Sequence, residues 1–148
     1  MHLTLLKSKL HRATVTGADL HYEGSIAIDS DLCALASLRL YEKVEIYNIT
    51  TGARFSTYVI AGEKGEVCLN GAAARLVQKG DHVIICSFAS FTEQEAALHE
   101  PTVVLLDEEN QPKLQAKQSG GLGLKTLVDS ERSSKGSVKR SSNESHSI

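Results

Sequence analysis

Glycine-bearing turns cut this chain into short pieces. Gly17, Gly24, Gly52, Gly62, Gly65, Gly71 and Gly80 punctuate it, and the stretches between them suit strands of a few residues better than long helices. Residues 3–16 are rich in β-branched side chains with partial alternation and read as short extended pieces. Gly17-Ala18-Asp19 reads as a turn, residues 20–22 as extended again, Glu23-Gly24 as the next bend and residues 25–28 as a strand. Asp29-Ser30-Asp31 supplies an N-cap for a short helix over 32–38. Residues 44–49 alternate, Thr50-Thr51-Gly52 turns and 54–60 alternate again, which is a hairpin. The turn at 62–65 leads into a strand at 66–69, Asn70-Gly71 breaks it, and residues 72–77 form an Ala-rich helical turn. The most continuous apolar run, 83–88, reads as a central strand. Thr92 caps a helix at 93–98, and 102–106 is the last strand. Many short strands with only two or three brief helices point to a mainly β fold, a small β-barrel rather than a layered α/β sheet.

The length of 148 residues fits one domain. Residues 1–112 carry 9 Lys+Arg against 15 Asp+Glu, whereas 113–148 carry 7 against 3, so an acidic body precedes a basic tail. That tail holds nine serines and no aromatic residue, too little apolar surface to offset its ordering entropy. The expected organisation is a barrel over 1–115 and a disordered Ser/Lys-rich tail over 116–148. The net charge of -2 gives no footprint for nucleic acid. No apolar run approaches the ~20 residues of a membrane span, and the chain reads as cytoplasmic. Cys33, Cys68 and Cys86 lack C-x-x-C spacing and read as small buried hydrophobes in a reducing compartment, neither a disulfide framework nor a metal site.

The familiar catalytic signatures are missing: the sequence has no G-x-S-x-G elbow and no H-E-x-x-H. His82 reads as a turn residue beside a strand, and His99 and His146 as solvated. His11 and His21 neighbour Lys9 and Tyr22, and Lys9 and His11 fall on one strand face. Two polar clusters remain. Strand alternation puts Arg54, Ser56 and Tyr58 on one face and Thr57 on the other. Arg can hold a carboxylate through two parallel hydrogen bonds, and Tyr can donate a proton; a plain exposed edge is the alternative. In Asn70-Gly71-Ala72-Ala73-Ala74 the small side chains let a ligand approach backbone N–H groups, the alternative being a helix start capped by Asn70.

Taken together, Lys9 with His11, A-D-L-H-Y-E-G-S at 18–25, N-I-T-T-G-A-R-F-S-T-Y at 48–58 and N-G-A-A-A at 70–74 resemble the aspartate 1-decarboxylases over about residues 1–112. The resemblance implies a double-psi β-barrel, a homotetramer with active sites between subunits, and a pyruvoyl group in place of PLP or a metal. It implies self-cleavage at Gly24-Ser25 into chains 1–24 and 25–148, with Ser25 becoming the pyruvoyl that binds substrate as a Schiff base. Thr57, Tyr22 and Asn70 would assist processing, and Gly24 would tolerate the strained backbone that attack requires. Tyr58 matches the proton donor, Arg54 and Lys9 the groups facing substrate carboxylates, and Thr57, Gly71, Ala72 and Ala73 the remaining substrate pocket. The implied reaction turns L-aspartate into β-alanine and CO2 for pantothenate and coenzyme A synthesis, with a maturation factor left open as a partner. The tail exceeds the usual family length. A rival reading is an uncleaved barrel acting as a binding or regulatory module through its basic tail.

Overall fold

The computed structural model describes residues 1–113 and, beyond them, the backbone of a two-residue strand, Lys125–Thr126. Its strands are β1 (His2–Thr14), β2 (Gly17–Asp19), β3 (Ser25–Asp29), β4 (Lys43–Asn48), β5 (Arg54–Gly62), β6 (Val67–Asn70), β7 (His82–Thr92), β8 (Thr102–Leu105) and β9 (Lys125–Thr126). They hydrogen-bond in the order β2-β6-β3-β5-β4-β7-β1-β8-β9. This ladder folds back on itself, because β2 continues β1 in the chain yet pairs at the opposite edge with β6. Thr16 completes the link: its N–H donates to Val67 O at 2.8 Å, and its hydroxyl oxygen accepts from Val67 N at 2.9 Å. The result is a mainly β, barrel-like fold with its apolar side chains inside.

Leu10, Val15, Ile26, Ile28, Leu32, Val44, Ile46, Val59, Val67, Leu69, Val83 and Ile85 form that interior, each almost wholly shielded from solvent. Alternation explains the selection: on β4, Val44, Ile46 and Asn48 are buried while Lys43, Glu45 and Tyr47 are not. As expected, β7 is central, between β4 and β1. The hairpin of β4 and β5 is closed by Asn48, whose Oδ1 accepts from Thr50 N and Thr51 N at 2.9 and 3.1 Å, with Gly52 at φ +83°. Helix α1 (Ser30–Leu35) is capped by Asp29, and α2 (Glu93–Leu98) carries a full capping box from Thr92 and Glu95. Residues Gly71–Leu76 form a 3-10 helix.

The structure departs from the sequence reading at several places. Helix α1 starts and ends earlier than the expected 32–38, and His82 opens β7 rather than lying in a turn. Residues 3–16 are dominated by one long strand, β1, bent by register shifts at Leu6/Ser8 and Leu10/Ala13. Residues 17–19 are a strand and 20–22 the turn, the reverse of the expected order. The cause is Asp19, whose carboxylate accepts from His21 N and Tyr22 N at 3.0 and 3.3 Å. His99 is half-buried rather than solvated: its Nε2 lies 2.7 Å from Leu6 O and its ring 4.2 Å from that of Phe91. Cys33 and Cys86 are buried as expected, but Cys68 is only partly so. Burial, with Asp29 and Glu42 nearby, pushes the Cys33 thiol up to about 11, which favours its neutral form. His146 and most of the 116–148 segment lie outside the described residues. Within that segment Lys125–Thr126 run parallel to β8.

Candidate active site

Ser25 opens β3 and its side chain is sealed from solvent, 0% exposed. Its φ is +134°. Among the described residues the other non-glycine residues with positive φ, Arg12, Ser37, Tyr41 and Asn110, lie between 55 and 69° in the ordinary left-handed region. Ser25 falls well outside that region, and such a backbone is strained by about 1–3 kcal/mol. The expectation that Gly24 absorbs the strain is therefore corrected. Gly24 is not among the positive-φ residues, and a Cβ added there would meet nothing within 4 Å. The glycine that the geometry requires is Gly71. At φ +64°, its Cβ would sit 2.9 Å from Gly24 Cα, 3.0 Å from Gly24 N and 3.3 Å from Tyr22 O.

Asn70 is the partner of Ser25 in the antiparallel pairing of β3 with β6. Its side chain makes no helix-capping bond; instead Nδ2 donates to Ser25 Oγ at 3.2 Å, in a buried contact. Asn70 is thus committed to Ser25, not to the helix start. On the other side β3 runs parallel to β5 with Ile26 opposite Val59, so the residues just before this pair are Ser25 and Tyr58. Tyr58 is 40% exposed, on the face with Arg54 and Ser56, while Thr57 is half-buried on the opposite face against Val44. Half-buried Gly71 and Ala73 and exposed Ala72 lie on the same 3-10 helix.

A second group of polar residues lies on the outer face of the sheet. Cross-strand register aligns Lys9, Cys86, Glu45 and Ser56 in one row, and Tyr47 with Arg54 in the next. The Arg54 guanidinium stands 4.2 Å above the Tyr47 ring. Burial raises the Cys86 thiol against the opposing pull of Lys9 and Arg54, so both cations reach the same patch. His11 is lowered by burial and then by Lys9, Arg12 and Lys113, which favours the neutral imidazole and leaves the stripe's charge to Lys9 and Arg54. Arg54 and Tyr58 are four residues apart on β5, about 13 Å along a strand. One chain thus brings Ser25, Asn70, Gly71 and the Tyr22 carbonyl together, with Tyr58 alongside, but leaves Lys9 and Arg54 at a distance.

Sequence reasoning missed three contributors. Tyr47 was legible in principle, because the hairpin register sets it opposite Arg54. Cys68 lies two residues before Asn70 and donates to its Oδ1 at 3.5 Å, a link without a motif. Glu42 ties down the strand end beyond Tyr58. It pairs with Lys7 at 2.8 Å, accepts from the Ser87 hydroxyl, and its backbone O accepts from Val59 N at 3.0 Å. Burial alone would raise the Glu42 carboxyl, but hydrogen bonds from Lys7, Ser87 and the Arg39 N–H, with the Lys7 charge, hold it below its ordinary value of 4.5. Among the described residues no cluster of three His, Cys, Asp or Glu could hold a metal ion.

Residues 1–113 match the sequence profile of the family described as aspartate decarboxylase. The chain belongs to the aspartate decarboxylase family. Curated relatives agree with that membership. The chain is 61% identical over 110 residues to an aspartate 1-decarboxylase of Bdellovibrio bacteriovorus, covering 74% of this chain and 89% of the relative. It is 53% identical over 125 residues to one from Syntrophotalea carbinolica, covering 83% and 95%. It is 59% identical over 112 residues to one from Clostridium acetobutylicum, covering 74% and 88%. The family match ends at Lys113, close to the end of the expected barrel.

Proposed function

We propose that the chain cuts itself between Gly24 and Ser25 and then decarboxylates L-aspartate to β-alanine and CO2, using a pyruvoyl group made from Ser25. The observation that carries this reading is a buried serine with a strained backbone, its hydroxyl held by Asn70 and its preceding glycine backed by Gly71. Nothing in a merely structural turn calls for that combination, and breaking the 24–25 bond relieves the strain.

The residues fit such a group. Ser25 Oγ adds to the Gly24 carbonyl carbon, its proton passes to the Ser25 nitrogen, and the C–N bond breaks to leave an ester. Asn70 holds Oγ for this step, and Thr57 is assigned the developing oxyanion. Loss of the Ser25 α-proton expels the Gly24 carboxylate from Cβ. Water then replaces the nitrogen, which departs as ammonia, and residue 25 is left as pyruvoyl on chain 25–148. The pyruvoyl ketone supplies the electron sink that decarboxylation of an amino acid demands and that no ordinary side chain provides. Tyr58 holds the proton that is returned to the substrate Cα. Arg54, braced by Tyr47, grips a substrate carboxylate with two hydrogen bonds, and Lys9 adds positive charge against the acidic body. Gly71, Ala72 and Ala73 leave backbone N–H groups approachable.

The distance along β5 between Arg54 and Tyr58 supports a site completed between subunits of a homotetramer, the cationic stripe of one subunit facing Ser25 of another. The setting of the reaction is cytoplasmic synthesis of β-alanine for pantothenate and coenzyme A. A carbonyl reagent tests the assignment. Phenylhydrazine should label chain 25–148 once per molecule and abolish β-alanine formation in proportion. Full turnover in protein that takes up no reagent would refute it.

A further inference from the structure

Resting on the reading of Gly24-Ser25 as a self-cleaving bond, we infer that Cys68 is a positioning residue for that cleavage: its thiol fixes which end of the Asn70 amide faces Ser25. The Asn70 side chain has two nearly isosteric ends with opposite chemistry. In the structure Nδ2 points at Ser25 Oγ, 3.2 Å away, and Oδ1 points back along β6 to Cys68 Sγ at 3.5 Å. In this orientation the S–H donates to the carbonyl oxygen, whereas a flipped amide would have to donate its N–H to sulfur, a poor acceptor, so the thiol favours the orientation seen.

The choice matters chemically. As Ser25 Oγ gives up its proton and attacks, negative charge develops on it, and an N–H donor lowers the cost of that charge. A flipped amide would present a carbonyl oxygen to the same atom and raise it. Two features keep Cys68 in this role. Burial, then Glu66 and Asp19, raises the thiol above its ordinary value, so it stays protonated and able to donate. Opposite it in the β2–β6 pairing stands Gly17, whose Cβ would lie 3.4 Å from the sulfur, close enough that a larger side chain there would press on the thiol. Cys68 touches neither the scissile bond nor substrate groups; it acts through Asn70.

Side chains that differ in donor capacity and shape separate this role from packing. Pulse-labelled full-length chains of wild type, Cys68→Ser, Cys68→Val and Cys68→Ala are followed on denaturing gels for release of chain 25–148, alongside thermal midpoints of each. The serine variant, which keeps a donor, should cleave within about twofold of wild type. The valine and alanine variants should cleave roughly fivefold more slowly, the rate equivalent of one neutral hydrogen bond, with valine retaining the wild-type midpoint. A residue that only fills space gives the opposite order, valine like wild type and serine impaired, and that result overturns the inference. If wild type itself stays whole, the cleavage reading fails and takes this one with it. Wild type and valine cleaving at equal rates defeats the role of Cys68 alone.

Discussion

The molecule presents its chemistry in two regions built to different rules. The Ser25 side chain is enclosed and fixed: a hydroxyl with no solvent exposure, an amide with both ends engaged, and a glycine with no room for a methyl group. The Lys9–Arg54 stripe lies on the outer face of the sheet, with Arg54 exposed and held chiefly by the face of one aromatic ring. On the proposed function, a centre that breaks its own backbone once needs rigidity and strain. A surface that must exchange an anionic substrate at every turnover needs access and charge. Under the proposed function, maturation and substrate capture fall on separate parts of the barrel and should separate under mutation.

The largest effect is expected at the centre. Ser25→Ala should fold with the wild-type thermal midpoint or above, yet show neither cleavage on a denaturing gel nor β-alanine formation. Gly71→Ala comes next. Its methyl would strike Gly24 and the Tyr22 carbonyl, so it should destabilise the precursor by about 1–3 kcal/mol and slow cleavage severely, whereas Gly24→Ala, with open space at its Cβ, should leave stability within about 1 kcal/mol of wild type. Equal effects from the two glycines would break the geometry described for the junction. On the stripe, Arg54→Ala should lower kcat/KM for aspartate about a hundredfold, the loss of a charge-assisted bidentate contact, while chain 25–148 still appears at the wild-type rate. Failure to cleave would show the two regions to be one. Tyr47→Leu should raise KM only a few-fold, as removal of a cation–π contact of about 0.5–1 kcal/mol implies.

A pH measurement sharpens the account of the strand end that supports Tyr58. Because the folded Glu42 carboxyl lies below its ordinary value of 4.5, its contribution to stability is present above that value and is lost as pH falls through the lower folded value. Unfolding followed from pH 6 downward should show wild type losing stability in that acid window. Glu42→Gln, already lacking the charge pair with Lys7, should lose less over the same range. A parallel acid response in both would show that this carboxylate does not set the window.

Much of the barrel was readable from residues alone. Period-two alternation named β4 and β5, a continuous apolar run named the central β7, and capping chemistry named both α-helices. The order of strand and turn at 17–22 was not, because Asp19 acts through a side-chain bond and Gly17–Asp19 depend on a partner strand some fifty residues away. The site was legible in part. Arg54, Thr57 and Tyr58 fall on the faces that alternation assigns. The strain at Ser25, the demand for glycine at Gly71 rather than Gly24, and the commitment of Asn70 to Ser25 arise where β3 meets β6, and no local pattern records that meeting.

Intact mass spectrometry of the wild-type protein, followed from synthesis onward, tests the central claim most directly. The full-length mass should give way to two species, residues 1–24 ending in a free carboxylate and residues 25–148 beginning with pyruvoyl in place of serine. A full-length mass that persists unchanged in protein that makes β-alanine from aspartate would contradict it.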